Sequence, residues 1–68
     1  MTREVIRNAL ARKPFRRFAL RLTDGRLVQI KGAHTAAVHP KGDTMIIFED
    51  KGGYRIIDIP LITEVQTA

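Results

Sequence analysis

The apolar residues of this 68-residue chain change their spacing at Pro14, and this change limits the folds available to it. Before Pro14 they recur at the spacing of one face of an amphipathic helix: Val5, Ile6, Ala9 and Leu10. After Pro14, apolar and polar residues alternate, as in a strand with one buried face. The pattern predicts a helix over residues 3–12 and then a domain made mainly of β-strands.

Capping and proline chemistry predict where the helix begins and ends. Thr2 can cap its start, and Glu4 suits the positive end of the helix dipole. Pro14 disfavours the α conformation at Lys13, so the helix should end near Arg12. We therefore predict a single domain over residues 1–68, with the helix in 1–13 and the strands in 15–66.

The dipeptide Asp24-Gly25 marks a tight turn between two alternating segments. The apolar face of this hairpin consists of Phe18, Leu20, Leu22, Val28 and Ile30. A two-residue loop would place Leu20 opposite the polar Gln29. A type I turn with Gly25 as a left-handed bulge shifts the register by one residue and places Leu20 beside Val28. Because register follows the apolar pattern, the sequence favours the bulged turn.

The remaining alternation predicts further short strands. We expect strands near residues 17–23, 26–31, 35–39, 44–49 and 54–59, with a short last strand near 63–66. Pro60 should end the fifth strand, because it lacks the N–H that a central ladder needs. The predicted fold is mainly β: an N-terminal α-helix followed by a five-stranded antiparallel small barrel of the Sm-like or SH3-like kind.

Three segments of the chain carry a resemblance to a known family. The run Arg-Lys-Pro-Phe at 12–15, the hairpin Phe-x-Leu-x-Leu-x-Asp-Gly-Arg at 18–26 and the isoleucine-rich end at 56–65 resemble a group of small bacterial proteins of unknown function. The resemblance covers most of residues 12–65. That family has no assigned activity, so the resemblance implies a shared fold and a bacterial source but no reaction.

In architecture, the helix and short strands also resemble the Sm-like barrels of RNA-binding ring proteins. Those barrels hold a base with an Asp and an Asn between the second and third strands, where this chain has residues 32–35, Gly-Ala-His-Thr. They also carry an Arg-Gly or Lys-His pair near the fourth-to-fifth strand junction, where this chain has residues 58–61, Asp-Ile-Pro-Leu. The resemblance therefore implies a fold, and fold alone does not assign function.

The composition removes several classes of chemistry. The chain has no Cys, which excludes disulfides, thiol nucleophiles and Cys-bearing zinc sites. His34 and His39 lack a third ligand pattern, and the acidic residues are scattered, so we predict no catalytic, metal or cofactor site and no enzyme activity. The N-terminus lacks an apolar signal core, and no apolar run approaches the ~20 residues of a membrane span. We expect a cytoplasmic protein with no small-molecule substrate.

The net charge of +5 is distributed unevenly. Residues 1–31 hold nine Arg or Lys against two carboxylates, whereas residues 32–68 hold three cations against five carboxylates. This asymmetry indicates an acidic partner for the N-terminal half, either nucleic acid or protein. The candidate contact residues are Arg3, Arg7, Arg12, Lys13, Arg16 and Arg17. Phe15 and Phe18 lie among these cations, either to stack on bases or to pin the helix to the barrel.

The segment 44–49 is apolar on both faces of its predicted strand, which indicates an interface. Either Ile46 with Phe48, or Met45 with Ile47, must be covered by something outside the barrel core. The candidate interface residues are Met45, Ile46, Ile47, Phe48 and Ile57. We therefore predict a non-enzymatic, self-associating interaction module and a homo-oligomer, with a nucleic-acid-binding barrel as the alternative.

Overall fold

The computed structural model describes residues 1–67 and contains one helix followed by short strands. Helix α1 spans Arg3–Ala11. The strands are β1 (Phe18–Leu22), β2 (Leu27–Ile30), β3 (Ala36–Val38), β4 (Thr44–Phe48), β5 (Tyr54–Asp58) and β6 (Ile62–Thr67), and a 3₁₀ turn at Ile59–Leu61 joins the last two. The prediction of a mainly β chain with an N-terminal helix is confirmed.

The helix boundaries follow from its flanking residues. Thr2 occupies the N-cap position, although its hydroxyl makes no capping hydrogen bond, and Glu4 lies in the first turn. The backbone turns extended at Arg12, with φ −61° and ψ 136°, two residues before Pro14. The predicted helix end is therefore confirmed to within one residue.

The strands form two antiparallel sheets rather than a closed barrel. The first has the order β2-β1-β6 and the second has the order β3-β4-β5. The two sheets share no strand pairing, and the chain passes from one to the other at two crossings. Between β2 and β3, Thr35 donates backbone and side-chain hydrogen bonds to the Gly32 carbonyl. Between β5 and β6, Pro60 lies in the 3₁₀ turn. The expected five-stranded barrel is therefore not confirmed.

The first hairpin has the bulged register that its apolar pattern predicts. Leu20 pairs with Val28, and Phe18 pairs with Ile30. The Gly25 N–H donates to the Leu22 carbonyl at 2.9 Å, and Gly25 has a φ of +89°. This is the geometry of a type I turn followed by a left-handed glycine bulge.

The core lies between the two sheets and is closed at one end by the helix. Its fully buried large side chains are Ile6, Leu20, Ile30, Met45, Ile59 and Ile62. The helix contributes Ile6, with Ala9 and Leu10 packed beside it, and contacts β3. Val5 of the predicted apolar stripe remains 45% exposed. The helix lies against β3 of the second sheet. It leaves Phe48, Tyr54 and Ile56 on the outer face of that sheet at least half exposed.

Candidate interaction surface

Several exposed apolar side chains lie together on the outer face of the second sheet. Alternation along β4 and β5 directs Ile46, Phe48, Tyr54 and Ile56 away from the core, and we call these four residues the apolar face. Ile46 pairs with Ile56, and Phe48 pairs with Tyr54, so the four form two adjacent cross-strand pairs. Phe48 is 50% exposed, Tyr54 62% and Ile56 64%.

The structure places the five predicted interface residues on two opposite sides of the second sheet. Met45, Ile47 and Ile57 are buried in the core of the single chain, at 1%, 4% and 8% exposure. Their side chains point toward the first sheet and pack in the core between the two sheets. Of the five predicted residues, Ile46 and Phe48 lie on the outer face, where Tyr54 and Ile56, which were not among the five, lie beside them.

A second glycine-bulge turn builds the apolar face. The Gly52 N–H donates to the Glu49 carbonyl at 3.2 Å, the Glu49 N–H donates to the Gly53 carbonyl at 2.8 Å, and Gly52 has a φ of +91°. The same pattern occurs at Gly25 in the first hairpin. Because this turn fixes the register, it aligns the outward residues of β4 with those of β5. Applied to residues 49–53, the bulged turn predicts that Tyr54 pairs with Phe48 and Ile56 with Ile46, but it does not say which side of the sheet these pairs face.

A cleft of about 280 Å³ lies between the second strand and the distal end of β4. Its lining includes Leu27, Val28, Lys31, Phe48, Asp50 and Arg55. Its charged side chains form ion pairs across the cleft wall: Lys31 to Asp50 at 3.6 Å and Arg55 to Glu49 at 3.1 Å. The cleft therefore presents neutralised charge beside an aromatic ring that also belongs to the apolar face.

The two histidines do not form a ligand set. Among residues 1–67, no three His, Asp or Glu side chains approach closely enough to hold a metal ion. His34 is exposed, and His39 accepts a hydrogen bond at Nδ1 from the Lys41 N–H at 3.0 Å. His39 therefore stabilises the loop between β3 and β4. Within the same described residues, no helix is long and apolar enough to cross a bilayer.

The six predicted cation contacts lie in the helix and in the connection to β1. Five of them are exposed: Arg7, Arg12, Lys13, Arg16 and Arg17. Arg3 is half-buried and donates to the Pro40 carbonyl at 3.2 Å. Phe18 is 3% exposed and belongs to the core, while Phe15 packs on it with ring centroids 6.1 Å apart. These aromatic rings pin the helix connection to the sheet.

Hydrogen bonds, together with neighbouring arginines, lower the pKa of two carboxyl groups on the first sheet. The Arg26 backbone N–H and guanidinium both bind the Asp24 carboxylate and hold its pKa below the ordinary value. The Gln66 amide, and then the Arg21 guanidinium at 3.0 Å, lower the pKa of Glu64. Both carboxylates are exposed, so these contacts order the hairpin and the β1–β6 ladder at the surface.

Comparison with models of protein families, with curated proteins and with solved structures returned no significant match.

Proposed function

We propose that this chain is a non-enzymatic interaction module that associates with a second copy of itself through the apolar face. The observation that carries the proposal is the alignment of Ile46, Phe48, Tyr54 and Ile56 on one exposed sheet surface. Exposed apolar patches of this kind mark interaction surfaces on proteins. The four residues are uncharged, and the exposed Asp58 lies at the margin of the face, where it pairs with Thr44, so a second copy can cover the four residues and leave this carboxylate at the solvated rim.

The size of the chain supports a second copy as the partner. A domain of this length buries only about 60% of the surface of its unfolded chain, so its core is small. Its accessible surface is 4755 Å², and a specific interface takes about 800 Å² from each partner. A two-fold contact through the apolar face would add an apolar layer outside the second sheet and extend the small core.

The exposed area of the aromatic rings allows an estimate of the free energy of dimerisation. A buried aromatic side chain removes roughly 150–250 Å² from water. At 50% exposure, Phe48 therefore keeps on the order of 100 Å² in water, worth about 2.5 kcal/mol if covered. In a two-fold contact, Phe48 of each copy is covered, so this free energy contributes twice. Substituting Phe48 by Asp should then weaken the dimer on the order of 10³-fold or more.

Sedimentation equilibrium at micromolar concentration tests the proposal. The native chain should sediment as a multiple of its 7.7 kDa mass, and Phe48→Asp should sediment as a monomer with an unchanged far-ultraviolet circular dichroism spectrum. Leu61→Asp is the matched control, because Leu61 is 48% exposed but lies in the 3₁₀ turn, outside the apolar face. If Phe48→Asp does not fold, Tyr54→Asp replaces it.

Two results would contradict self-association. One is a native chain that sediments as a clean monomer across the micromolar range. The other is a native oligomer that Phe48→Asp and Leu61→Asp dissociate to the same extent. That result would show that an added negative charge anywhere on the surface weakens the oligomer, and that the apolar face is not the contact.

A further inference from the structure

Most cations after residue 17 contact a carboxylate, whereas those before it do not; within the described residues, the exceptions after residue 17 are Lys41 and Lys51 in two exposed loops. In the described part from residue 18 onward, Arg21, Arg26, Lys31 and Arg55 each contact a carboxylate at 3.6 Å or less. Within residues 1–17, none of the six cations makes such a contact with a described carboxylate. The positive charge of the N-terminal segment is therefore left for a partner outside the fold.

The exposed members of this group form one short stretch, which we call the basic segment: Arg7, Arg12, Lys13, Arg16 and Arg17. From residue 7 to residue 17 the chain extends at most about 25 Å, at ~1.5 Å per helical residue and ~3.3 Å per extended residue. Four of the five are arginines, whose planar guanidinium groups bind phosphate oxygens in pairs. Because Phe15 packs on Phe18, the fold anchors this stretch and reduces the ordering cost of binding.

The burial of the neighbouring apolar residues decides which polyanion fits. A single-stranded nucleic acid is held by exposed aromatic rings on which bases stack, but Phe18 is in the core and Phe15 packs on it. A membrane-surface helix inserts its apolar side into lipid, but Ile6, Ala9 and Leu10 face the core. What remains exposed is charge without a stacking platform, which suits the dense phosphates of a duplex.

We propose that the basic segment binds the phosphate backbone of duplex nucleic acid, without base recognition. The contacts are guanidinium or ammonium to phosphate, so binding is independent of sequence and depends steeply on salt. This site lies on the helix and its connection to β1, whereas the apolar face lies on β4 and β5. The proposal therefore goes beyond self-association, and Phe48→Asp should retain affinity for duplex per copy.

Fluorescence anisotropy with a short, labelled duplex DNA of mixed sequence tests the proposal. If five phosphates are contacted, log affinity against log salt should have a slope of about −4.5, which is a roughly 500-fold loss between 50 and 200 mM salt. Arg16→Ala with Arg17→Ala should reduce the slope to about −2.7, a roughly 40-fold loss over the same range. Lys41→Ala with Lys51→Ala removes the same charge from two exposed loops and should keep the native slope.

Each other outcome of this experiment overturns the proposal. These outcomes are undetectable duplex binding at low salt, equal loss in the two double variants, or tighter binding to the single strand than to the duplex. Tighter binding to phosphatidylserine vesicles or to polyglutamate would assign the segment to a membrane or to an acidic protein instead. Circular dichroism verifies folding, and Arg7→Ala with Arg12→Ala replaces the first variant if that one unfolds.

Discussion

The second hairpin turn makes a sharp prediction about two adjacent glycines. Gly52 has a φ of +91°, whereas Gly53 is not among the residues with positive φ, and a Cβ at either position meets no atom within 4 Å. Any cost of Gly52→Ala is therefore a backbone cost. The left-handed conformation costs an L-residue about 1–2 kcal/mol, and the stiffer unfolded chain returns about 0.4–1 kcal/mol. The net destabilisation should be about 1 kcal/mol.

Urea unfolding followed by circular dichroism measures this difference. Gly52→Ala should lower the free energy of unfolding by about 1 kcal/mol, equivalent to roughly 4–8 °C in Tm for a chain of this size. Gly53→Ala should be neutral or slightly stabilising, because it restricts only the unfolded chain. Both proteins are compared at one concentration, since self-association adds to apparent stability.

The position of Gly52 in the turn would be refuted if Gly52→Ala and Gly53→Ala unfolded at the same urea concentration. Gly52→Asn provides a further check, because asparagine tolerates the left-handed region better than alanine does. Its unfolding midpoint should lie between those of the native chain and Gly52→Ala. A lower midpoint than that of Gly52→Ala would show that space, rather than backbone conformation, limits the turn.

Two further predictions concern stability. Ile6→Ala should cost about 2–5 kcal/mol because Ile6 is fully buried, whereas Val5→Ala on the exposed side should change the urea midpoint little; equal effects would show that the helix is not docked as described. Glu64, whose pKa Gln66 and Arg21 lower, stabilises the fold above its ordinary pKa of 4.5 and loses that contribution as pH falls through the lowered value. Glu64→Gln should therefore flatten the dependence of unfolding free energy on pH below about 4.5, and an unchanged dependence would contradict the assignment.

The sequence predicted the first hairpin correctly and the second sheet incompletely, for one physical reason. Val28 and Ile30 alternate with polar residues, so only one register buries the apolar side of β1. Residues 45–48 are apolar throughout, so alternation leaves the inward face of β4 undetermined. The inward choice of Met45 and Ile47 depends on packing against the first sheet, which the local pattern does not contain.

The local sequence pattern also could not predict whether the two sheets join into a closed barrel. The strand positions predicted from alternation agree with the structure to within about two residues, a normal error for boundaries. No turn signal states whether β2 pairs with β3 or β5 with β6, and in the structure each of these pairs is divided between the two sheets. The basic segment was identified from sequence by its charge, but the burial of Phe18 became visible only in the packed core.

The open sheets bear on how copies of the chain add to one another. Among residues 1–67, the outer edge of β5 carries no strand partner and lies beside Tyr54 and Ile56 of the apolar face. If two copies meet about a two-fold axis through the apolar face, each covers the other's face and growth stops at the dimer. A head-to-tail contact between the apolar face of one copy and the β5 edge of the next would leave a face unused at one end and an edge at the other, and the same residues would then propagate a filament. The symmetry of the first contact thus separates a closed particle from a fibre.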